Sequence, residues 1–259
     1  AYAAGCASPA TFPTWLQGFK KEAIAQGISP QFVSEALDGV SYDPAVIAKD
    51  RGQGVFAQSF LQFSGRMVNG NRLSVGSSLL KKNAGTFSAI QQKYGVPGPV
   101  LVGFWGLETD FGTNTGKHDV LRATATLGFD CRRTDMFQNE LLEALTLVER
   151  GDLQPADLRG DWAGELGQAH FLPSSYNKFA IDFDGNGKRD LIRSVPDTLA
   201  SIGNYLKGYG WQAKQPWGEG TANFEVIRKW NKALVYAKTV AAFAEKLDGQ
   251  SARAEQPRR

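Results

Sequence analysis

The stretch that most limits what this chain can fold into is Val96 to Gly112, VPGPVLVGFWGLETDFG. Pro97, Gly98 and Pro99 punctuate the backbone, and a proline fits the first turn of a helix, where an N–H would have no intrahelical partner. Val100, Leu101, Val102, Phe104, Trp105 and Leu107 then follow almost without a polar break. A helix that is apolar on every side belongs in the middle of a fold, so the other elements must be arranged around it. Glu108 is the only charged residue between Tyr94 and Thr109, and helical spacing puts it on the face of Leu101, Phe104 and Trp105. A carboxyl group in such surroundings holds its proton to higher pH, which is what a general acid requires. A solvent-facing glutamate at a helix end, with Gly112 as the stop, is the alternative that the residue pattern leaves open.

The flanking sequence supplies amphipathic helices to cover that run. Helical spacing predicts Phe12–Gln26, a second helix from Ser29-Pro30 to Gly39, one from Asp50 to Gly65, and a helix pair over Leu73–Tyr94 after a turn at Asn69-Gly70-Asn71. Beyond Glu108 come a glycine-rich loop, a short helix over Val120–Leu127 and a long one over Met136–Arg150. Gly151 to Phe171 has weak periodicity and reads as loop with short strands or turns. Pro196–Gly208 is helical, Phe224–Ile227 starts a helix or a brief strand, and Lys229–Leu247 is the last helix. The expected architecture is one mainly α (α+β) domain over 12–247, with an irregular or β insert at 151–195, a leading segment 1–11 and a polar tail 248–259.

Bulk properties exclude several functions. A net charge of +3 with dispersed basic residues leaves no nucleic-acid footprint. His118, His170, Cys6 and Cys131 are the only histidines and cysteines, and their spacing suits no zinc site. No motif calls for an organic cofactor. The opening AYAAGC has the A-x-A form left by export, which invites a Cys6–Cys131 disulfide, although two unrelated thiols are also compatible. Ala3-Ala4-Gly5-Cys6 is only weakly like a lipid-attachment site, since the usual leucine is missing.

Two further motifs carry chemistry. Asp182, Asp184 and Asn186 place oxygen ligands at positions 1, 3 and 5 of a calcium loop, with Gly187 at the turn and the Lys188 carbonyl next. Arg193 stands where the bidentate glutamate belongs, and Asp197 can supply that carboxylate from the following helix. The expectation is a structural calcium ion, the alternative an Asx-rich turn without one. The second motif, Trp162 to Tyr176 (WAGELGQAHFLPSSY), joins glycines that let backbone approach a ligand to polar Gln168 and His170.

Together, GFWGLETDFG, KHDVLRATATLGFDCRR, DWAGELGQAHFLPSSY, IDFDGNGKRDL, NYLKGYGW and IRKWNKALVYAKTVAAFAEKL resemble the soluble and membrane-bound lytic murein transglycosylase B family, in family order over nearly all of 12–247. The resemblance implies a lysozyme-like helical core in a periplasmic protein, read here as a monomer acting on peptidoglycan glycan strands. It implies cleavage of the MurNAc–GlcNAc β-1,4 bond with 1,6-anhydroMurNAc ends, Glu108 being the single acid/base. Arg132 and Arg133 match a basic pair along the glycan groove, Tyr205 a tyrosine near the acid, and Asn231 and Tyr236 groove residues. The sequence departs from the family at His170, where glutamine is common, at Asp161, often serine, and at Glu165, usually small. Asp161 and His170 are still counted with the substrate-binding positions. A muramidase-type hydrolase and a catalytically silent peptidoglycan-binding protein are the rival readings.

Overall fold

The computed structural model describes residues 8–52 and 59–254, with side chains as far as 249. Cys6 and the rest of residues 1–7 in the leading segment therefore lie outside the described residues. Among those described there are thirteen α-helices and a single two-stranded sheet.

The amino-terminal third is helical throughout: α1 (Phe12–Ala25), α2 (Pro30–Leu37), α3 (Pro44–Arg51), α4 (Phe60–Met67), α5 (Gly70–Lys82) and α6 (Ala84–Tyr94). Two expectations are corrected here. The helix expected from Asp50 to Gly65 is not one element: Asp50 lies in the last turn of α3, and α4 begins anew after its cap Ser59, whose hydroxyl accepts the N–H of Gln62 in a reciprocal capping box. Residues 53–58 between them lie outside the described residues. Asn69-Gly70-Asn71 is not a free turn but a helix start, because the Asn69 side chain accepts the Arg72 N–H and caps α5. The α5–α6 break at Asn83 agrees with the expected helix pair.

The apolar run is α7 (Gly98–Thr109), with ten of its twelve residues buried. It packs against α5, α6, α11 (Val195–Gly208) and, most extensively, α13 (Leu234–Ala254). Close approach explains two of the glycines. A Cβ on Gly76 of α5 would lie 3.0 Å from Val102 of α7, and one on Gly106 would lie 2.7 Å from the ring of Phe111. On the other side, α8 (Val120–Phe129) and α9 (Thr134–Glu149) pack together, with α1 against α8, α2 against α9 and α3 against α8.

Residues 151–171 carry turns, single bridges and one short strand, which suits their weak periodicity. Strand β1 (His118–Asp119) pairs antiparallel with β2 (Arg159–Gly160), and single bridges link Gly160 to Leu166 and Leu166 to Phe171. Helix α10 (Pro173–Phe179) follows, its first turn held by the buried Glu140, which accepts from both the backbone N–H and the hydroxyl of Ser174. The carboxy-terminal end differs from expectation at both ends of the last helix. Helix α12 (Ala222–Trp230) includes Lys229, the chain breaks at Asn231, and α13 runs from Leu234 beyond Leu247 to Ala254. The Asn231 side chain accepts the Ala233 N–H, which ends one helix and opens the next. No helix among the described residues is long and apolar enough to cross a membrane.

Candidate active site

Glu108 sits in the last turn of α7, where the chain stops abruptly. Asp110 and Phe111 both take left-handed backbone, with φ of 49° and 59°. Asp110 is fixed there by Arg72 at 2.5 Å and plays no part beside Glu108. Two bonds tie this end of α7 to the insert, and a third carries on within it. Thr109 donates to the Gln168 carbonyl (2.7 Å), the Trp105 indole donates to the Gln168 side chain (3.1 Å), and the Gln168 amide donates to Ile192 O (3.1 Å). Gln168 thus serves as a strut between α7 and the 182–197 loop.

The Glu108 side chain keeps 14% of its surface exposed. Its Oε1 accepts from the Trp230 indole at 2.9 Å and from the Tyr236 hydroxyl. Its Oε2 faces His170 Nδ1 at 3.7 Å, beyond hydrogen-bond length. Burial raises the proton affinity of Glu108 more than Tyr236, His170 and Trp230 lower it, and the charge of Asp161 adds to the rise. The same burial, together with the adjoining carboxyl groups, pushes Tyr236 well above the ordinary phenol range.

A cleft of about 280 Å³ opens over this carboxyl group, lined by Glu108, Glu165, His170, Tyr205, Trp230 and Asn231 among others. Glu165 is a second carboxyl group in that wall. Burial and the charges of Asp161 and Glu108 drive its proton affinity well above the usual carboxylate range. Asp161 accepts the backbone N–H groups of Ala163 and Glu165 and is bonded to the Glu165 side chain. Tyr205 donates to the Lys229 carbonyl at 3.1 Å, and its ring lies 4.8 Å from Trp230 and 5.6 Å from Phe171.

The structure brings Glu108, His170, Tyr205, Asn231 and Tyr236 together, with Asp161 alongside. Arg132 and Arg133 do not line this cleft. Both are paired with the buried Asp50, and Arg133 also lies over the Phe137 ring at 4.8 Å. The charge of Arg133 does reach Glu165 and opposes the rise there. Trp230 is the residue that sequence reasoning missed: nothing in its spacing separates it from a core tryptophan, and only the Asn231 break aims it at Glu108.

The second acidic site lies in the 182–197 loop. One oxygen from each of Asp182, Asp184 and Asp197 falls within 4.8 Å of the others, the span expected of ligands about 2.4 Å from a shared calcium ion. Asp182 also accepts the N–H groups of Gly185, Asn186 and Gly187, and the Asn186 side chain accepts from Lys188. Arg193 is no ligand, since it pairs with Asp157 and Asp190. Cys131 lies at the bend after α8.

Comparison with known proteins adds the following. A sequence profile of the Transglycosylase SLT domain matches residues 11–222. Membrane-bound lytic murein transglycosylase B of Escherichia coli (strain K12) is 34% identical over 154 residues, 59% of this chain but 42% of that protein. The match thus spans less than half the length of that relative. Among solved structures, SltB3 of Pseudomonas aeruginosa in complex with NAG-anhNAM-pentapeptide superposes with a TM-score of 0.87 at 30% identity, covering 92% of this chain and 80% of that one. The Escherichia coli lytic transglycosylase Slt35 in complex with calcium gives 0.81 at 25% identity, covering 93% and 94%.

Proposed function

The chain belongs to the Transglycosylase SLT domain family, and from that premise we propose that it is a lytic transglycosylase of peptidoglycan glycan strands. The bond cleaved is the MurNAc–GlcNAc β-1,4 linkage, and the new end is 1,6-anhydroMurNAc. The carrying observation is the state of Glu108: one buried carboxyl group, raised in proton affinity, whose Oε1 is occupied by two donors while Oε2 faces the cleft residue His170. Protonated Glu108 gives its proton to the glycosidic oxygen as positive charge develops at the muramoyl anomeric carbon. The resulting carboxylate, held by Trp230 and Tyr236, then takes the proton from the muramoyl C6 hydroxyl as that oxygen attacks the same carbon. Glu108 ends the cycle protonated, so one group suffices.

A hydrolase reading draws on Glu165, which lines the same cleft and could activate water. Its raised proton affinity argues against it, because a base must be ionised at working pH. Mass spectrometry of digested peptidoglycan separates the readings, since hydrolysis adds a water to the product and transglycosylation does not. Wild-type protein is expected to release anhydro-muropeptides, and Glu108→Gln none. Reducing-end products would overturn the reading in favour of hydrolysis, and no product from either protein would favour a silent glycan-binding role.

The acidic loop is proposed to hold a calcium ion, with Asp182, Asp184 and Asp197 as carboxylate ligands and Asn186 and the Lys188 carbonyl completing the set. The carboxylate spacing fits the ion, which would brace the loop that Gln168 ties to α7. Asn231, Tyr205 and His170 are proposed to contact the glycan. Arg132 and Arg133 are proposed to offer positive charge to stem-peptide carboxylates at the groove's edge. A periplasmic location and a Cys6–Cys131 bridge complete the proposal.

A further inference from the structure

His170 occupies an unusual position for an imidazole. Its backbone is left-handed, with φ of 47°, in the tight turn closed by its own N–H on the Gly167 carbonyl. Outside glycine that conformation is uncommon, and histidine is among the few residues enriched in it. The turn sends the ring toward Glu108, with Nδ1 3.7 Å from Oε2, and leaves Nε2 buried without a hydrogen-bond partner. In either neutral tautomer one ring nitrogen donates and the other accepts, so neither form satisfies the buried Nε2. The other oxygen of Glu108 is taken by Trp230 and Tyr236. A proton carried by Glu108 therefore rests on Oε2, the oxygen that His170 faces.

We infer that His170 is a positioning residue for the catalytic proton, Glu108 and His170 holding one proton between them across the Oε2–Nδ1 gap. This rests on the transglycosylase reading of Glu108. Passage of the proton from Oε2 to Nδ1 turns carboxyl and neutral imidazole into carboxylate and imidazolium, with no change in proton count. The gap is longer than a hydrogen bond, so a small closure of the ring decides which partner holds the proton. Only the Glu108-protonated form can start the reaction. The pair thus gives the enzyme an intermediate state with one shared proton and partial activity. The other ionisable groups facing the pair are Asp161 and Glu165 from the insert, Tyr205 from α11, Lys229 from α12 and Tyr236 from α13. Of these, Asp161 acts on Glu108 in the direction opposite to His170.

The test measures kcat/KM for anhydro-muropeptide release against pH, alongside a carbon-13 NMR titration of glutamate-labelled protein without substrate. The Glu108 signal is identified by its loss in Glu108→Gln. Wild type is compared with His170→Gln and with His170→Asn, the latter because asparagine tolerates left-handed backbone. His118→Gln is the control, since His118 lies on the half-buried strand β1 beside Lys49, outside the cleft lining. Wild type should lose activity in two steps as pH rises. Both His170 variants should lose it in one, with the Glu108 midpoint moved up by about 1–3 pH units, while His118→Gln keeps the two-step form. An unmoved Glu108 midpoint in both His170 variants overturns the inference even if turnover falls, because a purely structural role would lower turnover without moving the titration. If wild type releases no anhydro product, the functional reading fails and the NMR titration alone still decides whether the proton is shared.

Discussion

Glu108 and Asp197 are both carboxylates taken out of solvent, and the molecule uses them in opposite ways. Asp197, with no exposed surface, accepts the backbone N–H groups of Phe183, Asp184 and Asp190, so both oxygens hold the 182–197 loop in shape. Glu108 is served by two side-chain donors on one oxygen, and the other is left facing His170 and the cleft. Backbone amides cannot move away during a reaction, whereas an oxygen left unengaged by them can exchange a proton with a ligand. The difference teaches that burial alone does not mark the reactive carboxylate. Burial with one oxygen unspent does.

Glu108→Gln is the largest break in that comparison. The amide oxygen can still accept from Trp230 and Tyr236, so the fold should persist while turnover falls by about 10²–10⁴-fold. The same variant tests the electrostatics. The folded-state proton affinity of Glu108 is raised, so its favourable contribution to stability is complete below the ordinary carboxylate range. That contribution is lost as pH rises through the raised folded value. Thermal unfolding should therefore show Glu108→Gln gaining stability relative to wild type as pH rises from the ordinary carboxylate range toward the raised folded value. A constant difference across that range would count against a raised proton affinity.

Asp197→Ala attacks the other side. It strands three backbone N–H groups in the loop and should cost about 2–5 kcal/mol in denaturant unfolding. The glutamate variant would show no comparable loss. Calcium should act next in size: at about a hundred times its dissociation constant it would add about 2.7 kcal/mol to wild type, read as a higher Tm, and nothing to Asp182→Asn. A wild-type Tm indifferent to calcium would reduce the loop to an Asx-rich turn held by its own amides.

Much of this contrast is legible in the residues. The apolar run of α7 announces its own burial, and Glu108 follows as its one charge, because helical periodicity reports a face without help from the rest of the fold. The carboxylates of the 182–197 loop are legible for the same reason, being local and fixed in spacing. Asp197 emerges because it lies one helical turn past the loop. What periodicity misses depends on distant packing. Trp230 reaches Glu108 only because Asn231 ends α12 and starts α13 in a new direction. Asp50 claims Arg132 and Arg133 from across the chain, which no local pattern around either arginine signals. The capping side chains of Ser59 and Asn69 set helix starts that a reading of apolar spacing alone places elsewhere.

The smallest effects sharpen the comparison most, because they change the setting of Glu108 without removing it. Tyr236 lowers the proton affinity of Glu108 by donating to its charged form, and Asp161 raises it by repulsion. Tyr236→Phe should therefore move the alkaline limb of kcat/KM up by about one pH unit or less, and Asp161→Asn should move it down by a similar amount. Opposite signs from these two residues are what a carboxyl group tuned by its surroundings requires. If both variants move the limb the same way, the shift comes from a general loosening of the cleft. Glu108 would then owe its proton to burial alone, and the donors on Oε1 would serve only to hold its position.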